Sequence, residues 1–120
     1  MPAIMIESIP QIFDRNLEAL ANISILASEI FDVDISATIV KSAVIKQNDL
    51  YVAGCAVSVD TAPVIVQVLA LPDKTSLDIK EILTALASVI ANEYKIDSRR
   101  VNIDYRTSGY GCLYMNGVVI

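Results

Sequence analysis

The residue best placed to do chemistry is Pro2, which opens the apolar run Pro2-Ala3-Ile4-Met5-Ile6. Once Met1 is removed, Pro2 presents a secondary amine at the head of a predicted core strand. An α-amino group ordinarily titrates near pH ~8, and burial among apolar groups disfavours its charged form and lowers that value. Such an amine can act as a general base near neutral pH. A purely structural role stands beside this one, because proline starts a strand at no cost in ladder hydrogen bonds. The chain has no histidine, which excludes histidine-based triads and the commonest transition-metal sites. Acid-base work therefore falls to carboxylates, lysines, tyrosines or the N-terminal amine, and neither a metal nor a cofactor is expected. Cys55 and Cys112 lack metal-ligand spacing and are expected to be small buried thiols.

The remaining candidates sit on predicted strands. Alternation along the last long strand puts Val101, Ile103 and Tyr105 on one face and Asn102, Asp104 and Arg106 on the other. Lys41 occupies a second strand in the first half of the chain. Arg99 and Arg100 read as solvated or paired surface charges. Tyr105 and Tyr110 read as packing residues whose hydroxyls reach a partner or solvent.

The elements that carry these residues repeat. A strand at Pro2–Ile6, a helix from about Asp14 to Phe31 and a strand from about Thr38 to Lys46 form the first unit. A strand at Pro63–Leu69, a helix from about Ser76 to Lys95 and a strand at Val101–Arg106 form the second. Both units carry a strand-initial proline and a second proline after the strand, Pro10 and Pro72. The second helix shows the apolar stripe Ile79, Ile82, Leu83, Leu86, Ile90 and Tyr94, with Thr75 and Asp78 in capping-box register. Gln47-Asn48-Asp49 predicts a turn into a short strand at Leu50–Gly54, and Asn116-Gly117 predicts a C-terminal hairpin. The fold class is α/β (α+β). It is one domain over 1–120, with pseudo-repeats about 1–46 and 62–106 and two helices on one face of a mixed four-stranded sheet. No third helix is available for the other face, although the inner strands are apolar enough for burial on both sides.

Composition narrows the partners. Hydrophobic residues make up 54% of the chain and the mean hydropathy is +0.54, which predicts that apolar surface is shared between copies in a homo-oligomer. A net charge of −5 without a basic cluster excludes nucleic-acid tracking and binding to anionic membranes. No apolar run is long enough to span a bilayer, and no basic flank or cleavage site of a secretory signal is present. A cytoplasmic location is expected.

The N-terminal Pro2, the duplicated βαβ unit and the closing run Ser98-Arg99-Arg100-Val101-Asn102-Ile103-Asp104-Tyr105 resemble the tautomerase superfamily, in particular its macrophage migration inhibitory factor-like branch. The ending Leu113-Tyr114-Met115-Asn116-Gly117 is similar to that of an uncharacterised bacterial family of the same fold. The resemblance implies a trimer whose sheets form an inner barrel, with sites at subunit boundaries around the N-terminal proline. It also implies proton transfer between carbon and oxygen of a small enolisable carbonyl compound. Pro2 is the one position that matches the superfamily's catalytic pattern. The basic residue after the first helix is replaced by Val33, and the aromatic and amide positions of the last strand hold Asn102 and Asp104. The second-strand arginine of short tautomerases falls near Ile39, with Lys41 two residues on and on the same face.

Two functions follow. In one, Pro2 shuttles a proton and Lys41, Asn102, Asp104 and Arg106 line the substrate site. In the other, the chain keeps the trimeric fold as a non-catalytic binding or interaction scaffold. Asp104 separates them. At ~5 Å and an effective dielectric of ~20, it would repel an anionic substrate by ~3 kcal/mol, unless Arg106 or Arg100 pairs with it.

Overall fold

A computed structural model of the protein describes residues 2–120; Met1, whose removal the free amine requires, lies outside the described residues. Strand β1 (Ala3–Ser8) leads through a 3-10 turn (Pro10–Phe13) into helix α1 (Asn16–Phe31) and strand β2 (Ile39–Val44). A small hairpin, β3 (Tyr51–Val52) and β4 (Cys55–Ala56), precedes the second unit of β5 (Val64–Ala70), α2 (Ser76–Tyr94) and β6 (Val101–Thr107). The chain ends in the hairpin β7 (Tyr114–Met115) and β8 (Val118–Val119).

The main sheet has the order β2-β1-β5-β6. Each unit contributes one parallel pair, and β1 meets β5 antiparallel at the centre. A parallel pair needs a crossover, and each unit supplies it as a helix on the same face of the sheet. On that face Ile4, Ile6, Val64, Val66 and Val68 are all but completely buried beneath Ile23, Leu86 and Ile90. Their alternation with half-exposed Ala3, Met5, Glu7, Ile65 and Leu69 follows from the two-residue period of a strand.

Local signals repeat with the elements. Both helices end in a left-handed residue, Asp32 at φ 53° and Lys95 at φ 56°. In each case an aspartate two residues later caps a 3-10 turn. Asp34 accepts from the Ser36 amide and Asp97 from the Arg99 amide, both at 2.9 Å. The start of α2 carries the expected capping box, Thr75 and Asp78 bonding reciprocally.

Two ties brace the units together. The Tyr94 hydroxyl donates to Asn16 Oδ1 at 2.7 Å, and the Asn16 amide donates to Ser42 Oγ, linking α2, α1 and β2. The buried Ser8 hydroxyl donates to the Pro63 carbonyl at 2.8 Å. No helix among the described residues is long and apolar enough to cross a membrane.

The cysteines correct one expectation. Both Cys55 and Cys112 are exposed free thiols, because they lie in the small hairpin and the C-terminal loop and not in the helix-covered core.

Candidate functional site

The sheet face without helices is where the predicted residues gather. The strand register arranges this face in rows of four, running from β2 to β6. One row is Ile39, Ala3, Leu69 and Arg106; the next is Lys41, Met5, Gln67 and Asp104; the third is Ala43, Glu7, Ile65 and Asn102. Alternation along β6 is as expected, with Asn102, Asp104 and Arg106 exposed and Val101, Ile103 and Tyr105 turned toward the helices.

A cavity of about 500 Å3 opens over the first two rows, lined by Ala3, Met5, Ile39, Leu69, Lys41, Gln67 and Arg106, with backbone from Ile4 and Val68. Its floor is apolar and its polar groups are two cations and one amide. Lys41 and Arg106 stand on opposite edges of the sheet, about 14 Å apart at the usual strand spacing. The cavity therefore suits a small molecule with an apolar body and an anionic or polar end.

Pro2 is not among its lining residues. The side chain is fully buried, and the Pro2 carbonyl accepts from the Ile39 amide at 3.0 Å, which pins the head of β1 to β2. The next residue, Ala3, is the first of the lining.

Charges on this face are partly spent. Arg106 Nε donates to Asp104 Oδ2 at 2.8 Å, an exposed ion pair. Arg100 does not share in it; its guanidinium donates instead to the carbonyls of Ala62 (3.0 and 2.8 Å) and Val59 (2.6 Å). Arg99 pairs with Asp97 at 2.8 Å, and its hydrogen bonds hold the Asp97 carboxyl down at about 2. Among the described residues Lys41 has no carboxylate partner. It is the free cation of the cavity.

Within one chain the five predicted residues do not converge. Lys41 and Arg106 line the cavity, Asp104 is joined to it only through its pair with Arg106, and Pro2 precedes the first lining residue, Ala3, without itself lining it. Asn102 lies in the third row, outside the lining, its amide donating to the Arg100 carbonyl at 3.3 Å. Tyr105 packs beneath the sheet against Phe31, ring centroids 6.4 Å apart. Burial, reinforced by the charge of Asp73, pushes its hydroxyl pKa up. Tyr110 is exposed.

Gln67 was not singled out by sequence reasoning. Its signal was present, a lone amide in the apolar run Val64-Ile65-Val66-Gln67-Val68-Leu69-Ala70 and the one exposed position of β5. Met5 and Leu69 gave no such signal, because an apolar residue on an open sheet face looks the same in sequence as one in the core.

Comparison with known proteins places the fold. No protein-family model and no curated protein sequence matches the chain. Solved structures do. A member of the cis-3-chloroacrylic acid dehalogenase family superposes with a TM-score of 0.85 at 12% identity, covering 98% of this chain and 82% of its own. A native fused 4-OT gives 0.82 at 10% identity, covering 98% and 94%. The macrophage migration inhibitory factor of Trichinella spiralis gives 0.78 at 12% identity, covering 98% and 99%. Other fused 4-OT structures of the same fold are described as asymmetric trimers. The chain shares the fold of these structures, the tautomerase fold that the sequence resemblance implied.

Proposed function

We propose that this protein is a tautomerase-like isomerase that moves a proton between carbon and oxygen of a small enolisable carbonyl compound, working as a homotrimer in the cytoplasm. The observation that carries the reading is Pro2 at the head of the central strand β1, one residue from a cavity of about 500 Å3, in a fold shared with 4-OT and dehalogenase structures.

In this mechanism Met1 is absent and the Pro2 nitrogen is an uncharged secondary amine. It removes a proton from the carbon next to the substrate carbonyl, and the electron pair passes to the carbonyl oxygen as the enol forms. The protonated amine returns its proton to oxygen, or to carbon in the reverse direction. Lys41, the cation without an ion-pair partner, holds an anionic or carbonyl oxygen of the substrate. The Gln67 amide is a second donor on the same row, and Ala3, Met5, Ile39 and Leu69 exclude water from its apolar part. The Asp104–Arg106 pair offsets the carboxylate charge that would otherwise repel an anion. Asn102 joins the site as a hydrogen-bond donor at a subunit boundary, from a neighbouring copy.

The intact mass of untagged protein, read with an isomerisation assay on a panel of small 2-oxo acids, tests this. The expected result is a mass lacking one methionine and turnover that Pro2→Ala lowers by about 100-fold or more, the usual scale for a positioned acid-base group. Retention of Met1 leaves no amine and sinks the mechanism. Turnover unaffected by Pro2→Ala does the same, and a trimer with no turnover is the scaffold.

A further inference from the structure

The geometry points to Thr38 as the positioning residue for the Pro2 amine, its hydroxyl accepting the N–H on the helix side of the sheet so that the lone pair is left facing the cavity. This rests on the reading of Pro2 as a base and adds to it what aims that base.

Thr38 and Pro2 are neighbours in register. Strand β2 pairs with β1 in parallel from Ile39 opposite Ala3, and the Ile39 amide donates to the Pro2 carbonyl at 3.0 Å. One residue earlier on each strand, Thr38 therefore lies level with Pro2. Its backbone is already extended, at φ −115° and ψ 129°. Ala3 and Ile39 line the cavity on the helix-free face. Alternation then turns Pro2 and Thr38 to the other face, the one on which Ile4 is buried beneath the helices. The Pro2 ring is fully buried there. The Thr38 hydroxyl is buried on the same face and has no hydrogen-bond partner among the described residues.

Such a group needs an explanation, since buried hydroxyls are nearly always bonded and an unmade bond is costly. Valine has almost the same shape and would carry none of that cost. Removal of Met1 converts the Pro2 nitrogen from a planar amide without an N–H into a pyramidal amine. The neutral amine has one N–H and one lone pair, which point to opposite faces of the sheet. A hydroxyl on the helix side that accepts the N–H leaves the lone pair on the cavity side, toward the carbon that loses its proton. Once that proton is taken, the ammonium keeps its bond to Thr38, now charge-assisted and stronger. The transferred proton stays on the cavity side for its return, and none passes through Thr38.

Thr38→Val removes the hydroxyl at nearly constant shape, and Thr38→Ser keeps it. With Met1 shown absent by intact mass, both are compared with wild type by the pH profile of kcat/KM on 2-oxo acids and by nitrogen NMR titration of Pro2 in labelled protein. Circular dichroism is the folding control, and Thr38→Ala carries the same arm if valine disturbs the fold. Thr38→Val is expected to lower kcat about tenfold and the Pro2 pKa by about one unit, because the ammonium loses its acceptor. Thr38→Ser should stay near wild type in both. Charged groups on the neighbouring elements, Asp32, Asp34, Lys41, Asp73, Lys74 and Arg106, are the same in every variant and cancel from the comparison. A Thr38→Val protein that titrates and turns over like wild type overturns the contact, and so does Thr38→Ser impaired as much as Thr38→Val. A wild type without turnover sinks the isomerase reading alone, since the NMR titration still decides the contact. Retention of Met1 overturns both.

Discussion

Replacing Tyr94 by phenylalanine removes one oxygen from the brace that joins both helices to the edge strand carrying Lys41. The ring stays, so its edge-to-face contact with Phe13, at 5.3 Å and 65°, and the surrounding burial are kept. What is lost is the 2.7 Å bond to Asn16 Oδ1, and Asn16, half-buried, is left with an unused acceptor. A net hydrogen bond contributes about 1 kcal/mol, and orphaning a buried acceptor costs about 1–3 kcal/mol. The partial exposure of Asn16 keeps the total near 1.5 kcal/mol. For 120 residues the unfolding entropy is about 0.25 kcal/mol/K, and the melting midpoint should fall by about 6 °C at fixed protein concentration.

Asn16→Ala breaks both links, to Tyr94 and to Ser42. It should cost more than Tyr94→Phe, and the double variant should show about 1 kcal/mol of coupling in a mutant cycle. A pH arm checks the same bond. Burial first, and the charge of Glu93 second, push the Tyr94 pKa up from 10.0 to about 12. A group whose folded pKa is raised contributes stability that is complete below its unfolded pKa and is lost as pH rises through the folded one. Wild type should therefore lose this contribution between pH 10 and about 12, and Tyr94→Phe should lose less over that window. Urea denaturation measures the variants, and tyrosinate absorbance follows the titration. A Tyr94→Phe protein as stable as wild type, or a cycle that is simply additive, refutes the brace.

Two further outcomes follow from single contacts. Arg100→Ala should destabilise by about 2 kcal/mol, because its guanidinium holds the carbonyls of Val59 and Ala62. Amide exchange at Ala62, which bonds to Ser58 at 2.8 Å, should quicken more than exchange in the helices. Cys55 and Cys112 are both exposed, and native protein should react with a thiol reagent at both sites without unfolding; protection of either in the folded state would contradict their placement.

The fold was legible because the signals that specify it are local and duplicated. Thr75-Ser76-Leu77-Asp78 starts a helix by its own chemistry, and the stripe from Ile79 to Tyr94 requires a sheet to lie on. The register was not legible. The apolar run of β5 fits its neighbours equally well at several offsets. The observed pairing of Gln67 with Met5 and Asp104 comes from how two helices of similar length settle on one sheet. The hairpin at Asn116-Gly117 formed as predicted, with both residues at positive φ. The short strand predicted at Leu50–Gly54 is cut to Tyr51–Val52, because Ala53 and Gly54 turn at positive φ and bring Cys55 back beside it at the surface.

The site was harder to read, for a physical reason. Chemistry-bearing residues usually declare themselves as polar interruptions, and Lys41, Asp104 and Arg106 did. Lys41 lies on β2 and the Asp104–Arg106 pair on β6, opposite edges of a sheet about three strand spacings wide, about 14 Å, and the cavity between them is a product of register that no sequence pattern showed. The helices leave that face open, and an apolar residue there reads in sequence like one of the core, which is why Met5, Ile39 and Leu69 stayed silent while the charges beside them did not.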